Sequence, residues 1–237
     1  MPDIDKEEGY ITIQHRGRMD TLPYPKLLGS FYCLSKVHDS HSIMFACRTW
    51  GSRATDLNQG VVYNVQTVET ASDPILANCN DYDGIFGTAL NRFCAQAASG
   101  NQITVYGGGG ETRGFIDIRY MVRFIEYAAN NPAKPGQFRI FNQFTEQCPV
   151  LALARIVEKT ARSLDLEPDL AYLENPRVEK EEHYYNVINT SLLTLGLKPH
   201  LLDEATVERL LLTAMENREP IYPETFTPQV NWRPYSR

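Results

Sequence analysis

Ser30-Phe31-Tyr32-Cys33-Leu34-Ser35-Lys36, with Arg53-Ala54-Thr55-Asp56-Leu57-Asn58-Gln59-Gly60 further along, decides how this chain is read. The first run predicts a helix from about Ser30 to Thr49, ending near Gly51. In it Tyr32 and Lys36 stand four residues apart, on one face and a turn from each other. A free phenol has a pKa of about 10, and a fixed positive charge within ~4–6 Å favours its phenolate. A phenol tuned in this way can take the proton of a hydroxyl while hydride leaves the same carbon. The plain alternative is an aromatic and a snorkelling lysine on a half-buried helix, and five residues alone do not choose between the two. Residues 53–62 predict one strand and its loop, with Asn58, Gln59 and Gly60 delivered to a cleft.

The totals bound the answer. A chain of 237 residues can bury a full core, and 43% hydrophobic with 22% charged residues is ordinary globular composition. The net charge of −6 argues against nonspecific binding to nucleic acid or to an anionic membrane, but leaves room for a local anion pocket. Five cysteines (Cys33, Cys47, Cys79, Cys94, Cys148) form no Cys-x-x-Cys and are odd in number, which suits reduced thiols in a cytosol-like compartment. The acidic start Met1-Pro2-Asp3-Ile4-Asp5 lacks the apolar region of a signal peptide, and no apolar run approaches the ~18 residues of a membrane span.

Outward from the helix, Tyr10-Ile11-Thr12-Ile13-Gln14 alternates and is followed by a turn at Arg16-Gly17-Arg18, so residues 1–26 predict a short hairpin or loop. Residues 64–83 are polar and irregular, a surface excursion. Phe86, Leu90, Phe93 and Ala97 give helical spacing over 86–98. A short strand is expected at Ile103-Thr104-Val105-Tyr106, an extended run at 115–118, a helix over 119–129, and a strand at Phe138-Arg139-Ile140-Phe141. Helices follow from Pro149 to about Leu164, with the proline in the first turn, from Asn189 to Leu195, and from Asp203, as cap, to Asn217. The proline-rich tail from Tyr222 is expected to be extended. Strands alternating with helices make this an α/β protein.

Gly107-Gly108-Gly109-Gly110-Glu111-Thr112-Arg113-Gly114 invites comparison with a dinucleotide fingerprint, Gly-x-Gly-x-x-Gly opening a helix. Each register fails. From Gly107 the sixth residue is Thr112, from Gly108 it is Arg113, and from Gly109 the middle glycine is replaced by Glu111. The run predicts a flexible loop whose backbone can approach a phosphate, with Arg113 as charged donor. Arg113 and Arg177 can also be surface ion-pair partners, though planar bidentate donors favour the phosphate role. His38 and His41 lack the further ligands of a metal site, and Glu179-Lys180-Glu181-Glu182 is most simply a solvated face.

Taken in order, Tyr32-x-x-x-Lys36, Arg53-x-x-x-x-Asn58-x-Gly60 and Val105-Tyr106-Gly107 with Thr112-Arg113 resemble the extended short-chain dehydrogenase/reductase family, whose members act on nucleotide-linked sugars. Phe31-Tyr32-x-Leu34-Ser35-Lys36-Val37-His38-Asp39-Ser40-His41, Phe86-Gly87-Thr88-Ala89-Leu90-Asn91-Arg92-Phe93, Asn175-Pro176-Arg177-Val178-Glu179 and Glu181-Glu182-His183-Tyr184-Tyr185-Asn186 narrow the resemblance to the UDP-sulfoquinovose synthase branch. It implies a partial Rossmann-like, doubly wound domain plus a C-terminal substrate-binding domain. The expected division is 1–65 for the remaining part of the NAD-binding domain, with strands contributed by 115–145, and 66–237 for the sugar-nucleotide domain.

The implied reaction joins UDP-glucose and sulfite through NAD-dependent oxidation at C4, loss of water across C5–C6, sulfite addition at C6 and return of the hydride. By resemblance, Tyr32 is the base and Lys36 its activator, both touching NAD together with Gln59 and Val62. Gln59, Thr104, Val105, Tyr106, Thr112, Arg113, Arg177, Tyr185 and Asn186 face the sugar nucleotide, with the two arginines clamping its diphosphate. A homodimer, a sulfite-supplying partner protein and a cytoplasmic place, or a plastid stroma in a photosynthetic eukaryote, belong to the same implication. Two departures stand out. Cys33 occupies a position that is usually histidine in the family, and the glycine-rich opening of the cofactor domain is not in this chain, which looks like a C-terminal portion. A UDP-sugar 4,6-dehydratase or 4-epimerase, and a non-catalytic sugar-nucleotide-binding remnant, remain as alternatives.

Overall fold

A computed structural model describes residues 3–7, 10–23, 31–76, 80–84, 86–176, 199–219 and 221–227. Its described residues fall into two compact units, one drawn from Met1–Gly60 and Val122–Phe144, the other from Val61–Met121, Thr145–Tyr185 and Pro199–Arg237.

In the first unit, β1 (Asp3–Glu7), β2 (Tyr10–His15) and β3 (Arg18–Pro23) form an antiparallel meander, one strand more than the alternating pattern predicts. Arg16 and Gly17 make its turn with positive φ of 50° and 75°. The Tyr10 hydroxyl donates to the Phe138 carbonyl (3.1 Å) and ties β2 to the next layer. That layer is β4 (Ala54–Gln59) paired in parallel with β8 (Phe138–Gln143). Helix α1 (Phe31–Trp50) packs on both strands through the side bearing Leu34, Val37, Ser40, Met44 and Cys47. This 3–4 residue spacing is what helical geometry requires of one packed stripe. Ser40 Oγ donates to Asp56 (2.6 Å), fixing the helix against β4.

The single strand expected over 53–62 is two strands in different sheets. The Gly60 amide donates to Gln143 O (2.8 Å), and beyond it β5 (Val61–Tyr63) pairs with β7 (Thr112–Asp117) instead.

In the second unit, α2 (Ala89–Ala98), α4 (Val150–Arg162) and α5 (Glu204–Glu216) enclose a shared core. Leu90, Phe93, Cys94 and Ala97 meet Leu153, Ala154 and Val157, and also Val207, Leu210 and Leu211, each set at i, i+3 or i+4 spacing and almost wholly buried. Each such large apolar side chain stabilises by about 1.5–3 kcal/mol relative to exposure. Strand β6 (Ile103–Tyr106) pairs in parallel with β10 (Leu170–Leu173), and β7 lies between β5 and β9 (Glu146–Pro149). Helix α3 (Ile118–Asn130) runs from the second unit into the first.

Three boundaries differ from expectation. Phe86 is 77% exposed and outside α2, because Thr88 Oγ1 accepts from Asn91 N (3.2 Å) and starts the helix after it. Pro149 is extended and precedes α4 as its cap rather than entering its first turn. Pro223–Phe226 is a short 3-10 helix where extended chain is expected, anchored by Phe226 against the Tyr82 ring. The helix expected at Asn189–Leu195 lies outside the described residues.

Gly109 has φ of +68°, and a Cβ there would lie 2.7 Å from Val105 Cγ1 and 2.9 Å from Leu151 Cβ. Gly17 has φ of +75° with open space around it. Gly109→Ala is therefore expected to cost about 2–4 kcal/mol, strain and overpacking together, and Gly17→Ala only about 1–2 kcal/mol. Urea unfolding of both variants checks this. Equal losses would mean that packing around Gly109 contributes nothing.

Candidate functional site

Helix α1 brings Tyr32 and Lys36 together on an open surface. Tyr32 is 71% exposed, and Lys36 Nζ lies 5.5 Å from the centre of its ring. The ammonium also sits 3.6 Å from Asp39, so two groups compete for it. Cys33 is exposed beside the tyrosine. The thiol of Cys94, by contrast, is pushed up to about 12 by burial and is inert core.

Gln59 ends β4, where parallel strands present their carboxyl ends, the usual ligand side of an open α/β sheet. Its Nε2 donates to Gln143 Oε1 (3.0 Å), and Asn58 Nδ2 donates to Asn142 Oδ1 (3.1 Å). The two strand ends thus carry a ladder of paired amides. The signal for it lay in the sequence: Asn58-Gln59 and Asn142-Gln143 are the same dipeptide at the ends of two strands. Val62, expected beside Gln59, belongs to β5 and pairs with Ile116 in the other unit.

In the second unit Thr104 is held by α2. Its amide donates to Gln96 Oε1 (3.0 Å), its hydroxyl accepts from Gln96 Nε2 (2.8 Å), and its carbonyl accepts from Arg92 Nη2 (3.1 Å). Gln96 and Arg92 thereby occupy one edge of β6 much as a neighbouring strand would. Arg92 also stacks its guanidinium 4.4 Å from the centre of the Tyr106 ring, whose hydroxyl donates to Phe226 O (3.2 Å). Val105 has its side chain fully buried in the core, so it can offer a ligand only backbone. Neither Arg92 nor Gln96 stands out in the sequence, since both look like polar residues on a helix surface.

The glycine run is a turn with assigned bonds. The Gly107 amide donates to Leu173 O (2.8 Å) and the Gly109 amide to Tyr106 O (3.3 Å). Gly109 O accepts from Leu151 N (2.9 Å) and Glu111 O from Val150 N (3.1 Å), so the turn fills donors at the start of α4. Thr112 and Arg113 lie on β7, half-buried and paired with Pro149 and Cys148, rather than in a flexible loop. The pairing with β9 makes strand of what reads locally as loop. Arg177, Tyr185 and Asn186 lie outside the described residues.

At the paired ends of β5 and β7 stands a polar cluster around the buried Tyr63 and Asp117. Asp117 accepts from the Arg119 backbone amide, Nε and Nη2 (each 2.8 Å) and from Asn64 Nδ2 (3.2 Å). Burial pushes its carboxyl up, but these hydrogen bonds together outweigh burial and hold it below the ordinary range. Tyr63 donates to Glu146 Oε1 (2.8 Å), and burial and that carboxylate push its phenol far above its ordinary value. Tyr63 is thus a fixed donor.

No protein-family model matches the chain. It is 56% identical over 232 residues to the chloroplastic UDP-sulfoquinovose synthase of Spinacia oleracea, covering 98% of this chain and 48% of that protein. It is 34% identical over 235 residues to the UDP-sulfoquinovose synthase of Sulfolobus acidocaldarius, covering 98% of this chain and 60% of that one. The chain is thus similar to UDP-sulfoquinovose synthases over nearly its whole length. It spans about half the length of the spinach relative, and both matches fall on the relatives' C-terminal part.

Among solved structures, it resembles the Thermus thermophilus UDP-glucose 4-epimerase complex with NAD (TM-score 0.60, 17% identity, 84% of this chain and 57% of that chain). It also resembles the Bacillus cereus UDP-glucuronic acid 4-epimerase complex with UDP-glucuronic acid and NAD (TM-score 0.61, 19% identity, 83% and 55%). The fold is therefore the Rossmann-type α/β fold of the extended short-chain dehydrogenases/reductases. Among the described residues, no helix is long and apolar enough to cross a membrane.

A carboxyl depressed in the folded state contributes stability that is complete above its unfolded pKa and is lost as pH falls through the folded value. Wild-type protein is expected to lose the Asp117 contribution below about pH 4. Asp117→Asn should be less stable at neutral pH, by about 1–3 kcal/mol, and show a flatter acid limb. Urea unfolding at pH 7 and at pH 3 measures both, and an unchanged acid limb would remove Asp117 as its source.

Proposed function

We propose that the chain carries the tyrosine–lysine pair and the nucleotide-sugar side of an enzyme that converts UDP-glucose and sulfite to UDP-sulfoquinovose. The supporting observation is the pair itself, Lys36 Nζ 5.5 Å from the Tyr32 ring on an exposed helix, in a chain 56% identical to the spinach synthase. Over the reaction the sugar C6–O bond breaks, a C6–S bond forms, and the oxygen leaves as water.

Tyr32 takes the proton of the C4 hydroxyl and later returns it, with the Lys36 ammonium beside it. Arg113 and Arg177 hold the diphosphate in bidentate fashion. Thr104, Val105, Tyr106 and Thr112 border the nucleotide, with Tyr185 and Asn186 as further contacts, and Gln59 faces the sugar and cofactor. A homodimer, a protein that supplies sulfite, and a plastid stroma as setting belong to the same reading.

Tyr32, Lys36, Gln59 and Val62 suit the nicotinamide-ribose end of NAD, which when bound accepts a hydride and gives it back. The Gly107–Gly110 turn does not serve the pyrophosphate end, because it leads into β7 rather than a helix and its Gly107 and Gly109 amides are engaged. The purified 237-residue chain is accordingly expected to release no stoichiometric NAD on denaturation, read by absorbance and mass spectrometry. Stoichiometric NAD would locate a cradle that this reading lacks.

In a chain extended to the relatives' length, Tyr32→Phe should cut sulfite-dependent turnover of UDP-glucose by ~100-fold or more while binding stays close to wild type. Turnover that survives the change would end the assignment of Tyr32 as base. Arg113→Ala and Arg177→Ala should each weaken UDP-glucose binding by roughly 1.5–3 kcal/mol and uridine binding less. Equal losses for the two ligands in calorimetry would assign the arginines to folding alone. Conversion of UDP-glucose to its C4 epimer without sulfite would favour the epimerase alternative.

A further inference from the structure

We infer that segment 221–227 is a strap that positions Tyr106 at the nucleotide side of the candidate site. The inference rests on the reading of Tyr106 as a border of the nucleotide. The Tyr106 hydroxyl donates to Phe226 O (3.2 Å), across 120 residues of sequence. The same 3-10 turn is fastened to the loop before α2. Gly84 N donates to Thr225 O (3.0 Å), Tyr222 N donates to Tyr82 Oη (3.2 Å), and the Phe226 ring meets the Tyr82 ring edge-on at 5.7 Å. Phe226 is only 6% exposed, so the turn is anchored by buried apolar surface and not by hydrogen bonds alone.

The loop that receives the strap is itself tied down. Asp83 Oδ1 accepts from Phe86 N (2.9 Å), Asp83 O accepts from Gly87 N (3.1 Å), and Asp81 O accepts from Asn91 Nδ2 (3.1 Å) on α2. Arg92, next on α2, reaches Thr104 O and stacks on the Tyr106 ring. Strap, loop, α2 and β6 therefore close a ring of contacts, and Tyr106 is where the ring closes.

Arg92 and the strap do different things to Tyr106. A cation over a ring holds its face but sets no direction within the plane. A hydrogen bond at the hydroxyl is directional and supplies what the cation leaves open. A base packs most tightly on an aromatic surface that is already in place, because ordering that surface on binding costs affinity. The half-open Tyr106 ring meets this requirement while the strap is closed. Phe226 is thus a positioning residue that acts through Tyr106.

The test is UDP binding by calorimetry, together with exchange of the Gly84 amide proton followed by NMR and thermal unfolding of each variant. UDP is expected to slow Gly84 exchange in the wild-type chain, since a ligand that needs the closed strap also holds it closed. Tyr106→Phe and Phe226→Ala are each expected to weaken UDP binding about tenfold, and Phe226→Leu to stay within about threefold of wild type. The double variant Tyr106→Phe/Phe226→Ala should lose little more than either single one, because both break the same bond. If Phe226→Ala does not fold, Tyr106→Phe decides. Its Gly84 amide should exchange faster and UDP should no longer slow it, and an unchanged rate overturns the strap. A folded Phe226→Ala that melts earlier but binds UDP as wild type does would leave the turn a purely structural role and overturn the inference. Losses that multiply in the double variant, or wild-type Gly84 exchange indifferent to bound UDP, overturn it equally, and all three leave the nucleotide reading standing. A wild-type chain that does not bind UDP overturns the nucleotide reading and the strap's role with it.

Discussion

The turn between β6 and β7 has to satisfy several neighbours at once, and much of the second unit depends on it. Gly107 donates to the end of β10, Gly109 and Glu111 accept the first amides of α4, and the Glu111 carboxylate takes the Asn175 amide. Helix starts leave their amides without partners, so a buried start must borrow acceptors from elsewhere. Here the glycine run lends its carbonyls. Val105 and Leu151 crowd Gly109 so closely that only a residue without a Cβ can hold the required positive φ. A stretch that looks permissive in the sequence is therefore the least adjustable part of the fold.

The same rule of satisfied backbone governs β6. Strand β6 pairs with β10 on one edge, while Gln96 and Arg92 reach Thr104 from α2 on the other. An exposed strand edge is a liability that proteins cover. Covering it with side chains rather than with another strand leaves Tyr106, next along, stacked on Arg92 and half-open. At β4 and β8 the device differs, since paired amides of Asn58 with Asn142 and Gln59 with Gln143 extend the ladder past the backbone.

Two tyrosines mark the contrast between structure and chemistry. Tyr63 is buried, bonded to Glu146 and held protonated, so it links β5 to β9 across the intervening β7. Tyr32 is exposed beside Lys36 on α1. Burial, not residue type, separates a latch from a candidate base.

What the sequence determined by itself is local and periodic. Helices were expected where α1, α2, α3, α4 and α5 lie, that of α2 from the 3–4 residue spacing of its apolar positions, Asp203 announced its helix, and Tyr32 and Lys36 were legible as a facing pair because helical geometry alone brings residues four apart together. The mismatch of the glycine run with a dinucleotide fingerprint was also readable, since a strand and not a helix follows it. What only tertiary structure decided is every partnership across distance. The break at Gly60 depends on β5 finding β7, the strand at Thr112–Arg113 on β9 pairing with it, and the extra strand β1 on the meander it joins. The Glu111–Asn175 bond spans 64 residues. Hydrogen-bond partners of this kind leave no period in the sequence, because what selects them is the need of buried polar groups for partners once the chain has closed around them.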